Sequence, residues 1–359
     1  MKAAIWYGRR DVRIEDISEP PAPGPGEVKI KVAWCGICGT DLHEYTAGPI
    51  FTQVNEPHPV SGKMAPLVPG HEIAGTVVEV GPGVKTVKVG DRVTPNTLLA
   101  CWECHYCKRG LPQLCEKVGF IGCHSDGGFA EYVNVKVDTG METILMIYKF
   151  PDNVSMEAGA LVEPLTVGVE AVRAGNLLLG ETVAVIGAGT IGLSTIQAAR
   201  AAGASQIISV EPAEIRRKFA KEVGATVVLN PEKEDVAKAA KELTNGLGVD
   251  CSFECVGAEA AMKSALDMIR NGGRAVVVGI FEKPALTDYF EVVLLDKKII
   301  GSFGYTDQHQ ITTALLADGR LQAEPLITGK IKLDELVTKG FEELLAHREK
   351  NIKILVSPT

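Results

Sequence analysis

At 359 residues the chain is long enough for two domains of the usual ~150 residues each, and its 46% hydrophobic content can bury a sizeable core. A net charge of −8 excludes a surface built for nucleic acid or anionic lipid, and no apolar run approaches the ~18 residues of a membrane span. The opening "MKAAIWYGRRDVRIED" has no apolar core of signal-peptide length, so the expected location is the cytoplasm, where a spaced set of cysteines is better read as a metal site than as disulfides.

Residues 1 to about 135 alternate like sheet segments between glycine and proline turns, as in "EVKIKVAWCGIC", "IAGTVVEVG" and "GDRVTPNT". Two short stretches there carry candidate ligands: Cys38 in "CGICGTDLHEY", and His71 with Glu72 in "PGHEIAG". Alone, Cys38 or His71 is more often an ordinary core or surface residue, and Glu72 reads equally well as a solvated charge at a strand edge. Further on, Cys101, Cys104, Cys107 and Cys115 follow the spacing C-x2-C-x2-C-x7-C. Four thiolates suit tetrahedral zinc and leave no open position, so this site is expected to staple the fold and not to catalyse. Scattered structural cysteines are the bland alternative, and an iron–sulfur cluster uses other spacings.

The stretch "VKVDTGMETILMIYKF", residues 135–150, has no clear period. After it Glu163 sits in the apolar run "GALVEPLTVG", where a buried charge is costly unless it is paired or near a metal. Capping of the following helix is the plainer reading. With Cys38, His71 and Glu72 it makes a mixed ligand set, the kind that keeps a position open for a substrate oxygen.

From about residue 165 the texture changes to alternating strands and helices. Strands are expected at "TVAVIG", "QIISVE", "ATVVLN", "VDCSFEC", "GRAVVVGI" and "KIIGSFG", which describes a doubly wound parallel sheet. Gly187, Gly189 and Gly192 form a G-x-G-x-x-G motif directly after the first of these and open a helix with Thr190 and Ile191. The glycines allow the tight turn, the approach of a pyrophosphate and close helix packing. Glu211 closes the next strand, where a carboxylate accepts from the adenosine ribose hydroxyls and repels a 2′-phosphate, favouring NAD over NADP. Arg216 and Arg217 follow closely; they read as a solvated helix face, or as cations able to accommodate that phosphate. Past about residue 304 the chain is expected to end in short helices and a last strand, "NIKILVSP".

These residues together resemble the zinc-dependent medium-chain alcohol and polyol dehydrogenases, over nearly the whole chain. The most specific marks are the cysteine lobe, "GHE", and the fingerprint following "VEPLTVG". "DLHEYTAGPIF", "EPHPVSG" and "KILVSP" most resemble the branch that interconverts (R,R)-2,3-butanediol and acetoin. The resemblance implies an α/β fold: a strand-rich, GroES-like catalytic domain at 1–164 with 304–359, and a Rossmann NAD-binding domain at 165–303. It implies one catalytic and one structural zinc, with Cys38 and His71 as catalytic-zinc ligands and Glu72 or Glu163 as the third. Thr40 would take the alcohol proton, Asp41 would support the zinc histidine, and His43 would pass the proton to solvent. Cys255, Val256, Gly257, Val278 and Ser302 would line the nicotinamide half, and Lys353 would lie near the pyrophosphate. The segment 136–148 is longer than the family's usual connection and is expected to alter the cleft rim or a subunit contact. A small alcohol or ketone is the implied substrate, and a homodimer or homotetramer the implied assembly. The competing readings are a sorbitol, polyol or threonine dehydrogenase of the same family and, more remotely, a non-catalytic nucleotide-binding protein on this scaffold.

Overall fold

The computed structural model describes residues 1–140 and 144–358. The chain divides into two compact units, one of Met1–Glu163 with Thr306–Ala317 and Ile327–Thr359, the other of Pro164–Tyr305 with Asp318–Leu326.

The second unit is built on a six-stranded sheet in the spatial order Val227–Leu229, Gln206–Val210, Thr182–Ile186, Val249–Glu254, Ile269–Val277, Lys298–Gly301. Every neighbouring pair is parallel. This is the doubly wound order, with all six strands where the sequence pattern places them. The interior strands lie buried on both faces, which is why they read as unbroken apolar runs without alternation. Residues 318–326, assigned from sequence to the catalytic domain, lie in this second unit instead. The reason is local: the Gln322 N–H donates to Gln197 Oε1 at 2.7 Å, and Gln197 Nε2 returns a bond to the Gln322 carbonyl at 3.0 Å.

The first unit centres on the long strand Glu27–Gly36, which pairs antiparallel with Glu72–Val80, Tyr132–Lys136 and the C-terminal Lys353–Ser357. Val28, Ile30, Ile73, Val77, Phe129 and Val133 are fully or almost fully buried in its core. Among the strands the sequence pattern misses here is Ile327–Lys332, which pairs in parallel with Lys353–Ser357. Its six residues, ITGKIK, include two lysines and a glycine and none is fully buried, so no apolar signal marks it. Residues 141–143 of the aperiodic stretch lie outside the described residues; beyond them Ile147–Lys149 pairs with Arg92–Pro95.

Phe253, fully buried in the central parallel strand Val249–Glu254, gives a direct check of the second unit's core. Phe253→Ala should cost about 3–5 kcal/mol, read as a lower urea midpoint; an unchanged midpoint would show that the ring packs loosely.

Candidate active site

The strand Glu27–Gly36 delivers the chain into the helix Gly39–Ala47, whose N-cap is Cys38. Asp41, in the first turn, accepts from the Cys38 N–H through Oδ2 at 2.8 Å and so fixes the start of the helix. Thr40 Oγ1 lies 3.6 Å from Cys38 Sγ, and His43 follows on the same helix, half-buried. The neighbouring strand begins at Glu72, which stands directly opposite Gly36 in the antiparallel register. A Cβ at residue 36 would collide with Glu72 Oε2, so only glycine there lets this carboxylate lie across the strand.

Register and cap together gather Cys38, His71 and Glu72, with one ligand atom of each within 4.8 Å of the others. Glu163 is not in that set, although its charge is felt at Lys353, so Glu72 is the carboxylate placed with the cysteine and histidine. Glu72 is completely buried; its Oε1 accepts from Lys353 Nζ at 2.5 Å, while Oε2 has no hydrogen-bond partner among the described residues. His71 Nδ1 is likewise without a partner among them; Asp41 Oδ1 stands 4.0 Å away, beyond a hydrogen bond. Buried polar atoms left unmade in this way are costly. One soft, one borderline and one hard donor around such atoms are what a zinc ion with an open position takes, and the residues fit it. Burial opposes charge on His71, but Cys38, Cys123 and Asp41 still raise its proton affinity well above the ordinary range.

Lys353, which the family resemblance puts near the pyrophosphate, has its ammonium bonded to Glu72 and, at 2.7 Å, to the Ile37 carbonyl. The cause is register: Leu355 pairs with Gly36, which in turn pairs with Glu72, so a residue at the start of the last strand ends beside that carboxylate. Burial works against the charge, yet Glu72, Cys38 and Glu163 raise the lysine's pKa and keep it charged.

The second set is the cysteine lobe. The sulfur atoms of Cys101, Cys104, Cys107 and Cys115 all lie within 4.8 Å of one another. Backbone N–H groups point at the sulfurs, from Cys101 to Cys115 Sγ at 3.3 Å, from Cys104 to Cys101 Sγ at 3.4 Å and from Lys117 to Cys115 Sγ at 3.3 Å. The N–H groups of Cys107 and Glu116 pull Cys104 down to about 6, while burial pushes Cys107 and Cys115 up. A cation makes thiolates of all four, and the closed tetrad suits structural zinc.

In the second unit, Gly189 caps the helix Thr190–Ala201, with Thr190 and Ile191 as its first residues. Gly187 has a φ of 94°, and Gly192 packs so close that a Cβ would strike the Gly187 carbonyl oxygen. Glu211 Oε2 accepts from the Ala188 N–H at 2.8 Å, which fixes the carboxylate beside the glycine turn. Arg217 is committed to the Glu211 and Pro212 carbonyls, whereas an Arg216 Nη1 approaches within 3.7 Å of where a Gly189 side chain would begin. Cys255 and Val256 follow the strand Val249–Glu254, with Val256 52% exposed; Val278 and Ser302 follow the next two strands. The sequence reading missed Glu254, whose buried Oε1 accepts from the N–H groups of Val256 and Gly257 at 2.8 Å each and so shapes this loop. The available signal was a carboxylate closing an apolar strand, the same pattern as Glu211.

Two zinc ions per chain are expected from these two sets when protein purified without chelator is assayed for metal. Cys104→Ser should remove one ion and lower the melting temperature before it touches the catalytic set. A single zinc in active enzyme, or a stable but inactive Cys104→Ser protein, would overturn the division between them.

Residues 190–317 match the zinc-binding dehydrogenase family and residues 24–145 the alcohol dehydrogenase GroES-like domain. The chain is 42% identical to (R,R)-butanediol dehydrogenase of Bacillus subtilis, covering 100% of both chains. It is 37% identical to L-threonine 3-dehydrogenase of Pyrococcus furiosus, covering 96% of this chain and 94% of that one. The crystal structure of 2R,3R-butanediol dehydrogenase from Bacillus subtilis matches it with a TM-score of 0.91, covering 100% of this chain and 99% of that one. No helix among the described residues is long and apolar enough to cross a membrane. The chain therefore belongs to the zinc-binding alcohol dehydrogenase family and is an enzyme, an oxidoreductase of small alcohols whose cofactors are zinc and a nicotinamide dinucleotide.

Proposed function

We propose that this enzyme interconverts (R,R)-2,3-butanediol and acetoin with NAD. The observation that carries the reading is the Cys38, His71 and Glu72 set, its histidine and carboxylate buried, on the chain that also carries Thr40 and His43, in a protein 42% identical end to end to an enzyme of that name. Cys38, His71 and Glu72 would hold a zinc ion, which would supply a Lewis acid for the alcohol oxygen, and a bound dinucleotide would supply the hydride acceptor. Thr40, two residues after the cysteine, receives the alcohol proton at its Oγ1. His43, one helical turn further on, passes that proton towards water. Glu163, whose charge reaches Lys353 beside Glu72, would orient the other oxygen of a vicinal diol or 2-hydroxyketone. The closed cysteine tetrad takes no part in the reaction.

Both metal sets need reduced thiolates, which supports a cytoplasmic location. The edge strand Lys298–Gly301 is open, and beside it in sequence Leu286, Tyr289, Phe290, Val293 and Leu294 are 67–84% exposed. An apolar strip of this kind is best covered by a second copy, giving a homodimer or a tetramer of dimers.

The preference for NAD rests on Glu211, held beside the glycine turn. Glu211→Ser should narrow the ratio of kcat/KM between NAD and NADP by roughly tenfold or more, because the repulsion of a 2′-phosphate is lost. Equal use of both cofactors by the unaltered enzyme would show that Arg216 outweighs the carboxylate.

Stereochemistry tests the substrate reading. Acetoin reduction should create an R-configured carbinol, and oxidation should accept (R,R)-2,3-butanediol and the R carbon of the meso isomer. Chiral gas chromatography decides this. A new carbinol that is mainly S, or turnover of sorbitol or threonine without butanediol, would move the enzyme to another branch of its family.

A further inference from the structure

Glu44 belongs to the helix that starts at Cys38 and carries Thr40 and His43, and it follows His43 directly. It is only 5% exposed, and burying a carboxylate is expensive unless its oxygens are bonded. The bonds come from a connection that follows the helix. Glu44 Oε1 accepts from the N–H groups of Ile50 at 3.1 Å, of Thr52 at 3.2 Å, and of Phe51 between them; Oε2 takes a longer bond from Ile50 at 3.3 Å. Three consecutive backbone donors thus converge on one buried anion, an arrangement of charge-assisted bonds that holds a loop far more firmly than neutral contacts do.

The rest of the connection is pinned too. The Ala65 N–H donates to the Gln53 carbonyl at 2.7 Å, closing the loop on itself. At its far end the buried His58 accepts at Nδ1 from the N–H groups of Val60 and Ser61, and its ring lies 4.6 Å from that of His124. Yet the side chains presented between these anchors are apolar: Ile50 is 51% exposed, Val54 is 37% exposed and Phe51 is half-buried. A connection of this length is ordinarily mobile, and exposed apolar groups gain nothing for the fold by being fixed. They gain something for a ligand whose arms are short alkyl groups.

We infer that Glu44 is a positioning residue for substrate selectivity: it fixes Ile50 and Phe51 as an apolar rim beside the Cys38–His43 turn, sized for the methyl arms of a small secondary alcohol. The inference rests on the proposed alcohol chemistry at that turn. Glu44 itself touches neither metal nor substrate; it acts through the backbone of residues 50–52.

The zinc-loaded enzyme is compared with Glu44→Gln and Ile50→Ala by hydrogen exchange at the amides of 50–52 and by kcat/KM for 2,3-butanediol and the bulkier 3,4-hexanediol. Glu44→Gln should speed exchange at these amides and lower kcat/KM for butanediol roughly ten- to a hundredfold, mainly through KM, with hexanediol less affected. Zinc content and NADH affinity should stay at the level of the unaltered enzyme. Ile50→Ala should shift the ratio of the two diols towards hexanediol without faster exchange. Faster exchange in Glu44→Gln with an unchanged ratio would make the anchor purely structural and overturn the inference, as would an unchanged ratio in Ile50→Ala should the Glu44 variant fail to fold. If the unaltered enzyme turns over threonine or sorbitol and no vicinal diol, the substrate reading fails by itself, and Glu44 is judged by the same ratio between that substrate and a longer homologue.

Discussion

The catalytic half of the molecule depends on where one carboxylate is allowed to sit. Glu72 is fully buried, faces Gly36 across an antiparallel pair, and is bonded to a lysine that is itself buried. Buried ion pairs contribute little net stability, since desolvating both charges offsets most of their attraction, but removing one partner costs about 3–5 kcal/mol. The pair therefore makes the arrangement specific more than it makes it stable. It ties the strands Glu27–Gly36, Glu72–Val80 and Lys353–Ser357 into a single register in which Cys38 and His71 meet the same carboxylate. With Oε1 taken by the lysine and Oε2 without a hydrogen-bond partner among the described residues, Glu72 has one oxygen rather than two to offer.

The two ligand sets differ in how the chain assembles them. The tetrad comes from one stretch, Cys101 to Cys115, and its backbone N–H groups are turned onto its own sulfurs, so it closes locally. The mixed set comes from a helix N-cap, Cys38, and from His71 and Glu72 where a strand begins more than thirty residues on, and one of its charged neighbours, Lys353, is far away in sequence. A locally closed set suits a staple. A set borrowed from separate segments leaves room for a ligand and for tuning by neighbours, and that difference follows from topology before any chemistry is considered.

The same contrast governs what was legible without coordinates. The six Rossmann strands stand out because strands buried on both faces are uniformly apolar, and the cysteine spacing stands out because all four ligands are neighbours in sequence. Cys38, His71 and Glu72 became meaningful only in conjunction, since each is an ordinary residue by itself. Ile327–Lys332 escaped because it has little apolar pattern, and the bond of Lys353 to Glu72 escaped because the two lie 281 residues apart. Glu44 escaped for a subtler reason. Its partners are backbone N–H groups, which every non-proline residue has, so nothing in the side-chain sequence announces them.

Backbone-directed carboxylates recur throughout the chain. Glu211 takes the Ala188 N–H, Glu254 those of Val256 and Gly257, Asp41 that of Cys38, and Glu44 those of Ile50 to Thr52. All four are buried; Glu211 and Glu254 stand at the ends of strands, while Asp41 and Glu44 lie within the helix Gly39–Ala47 and bond the backbone at its start and after its end. Loops bearing candidate functional groups cannot be fixed by apolar packing alone, because their surfaces have to stay open to ligands. A buried carboxylate resolves the conflict: it satisfies several donors at once from inside the core and leaves the outer face of the loop free. Its cost is a desolvated charge that only those donors offset, so the loop cannot move without exposing the anion to an unmet penalty. The turn at Gly187–Gly189, the loop at Val256 and Gly257, the start of the helix Gly39–Ala47 and the segment 50–52 are thus each tied by backbone N–H groups to a buried carboxylate.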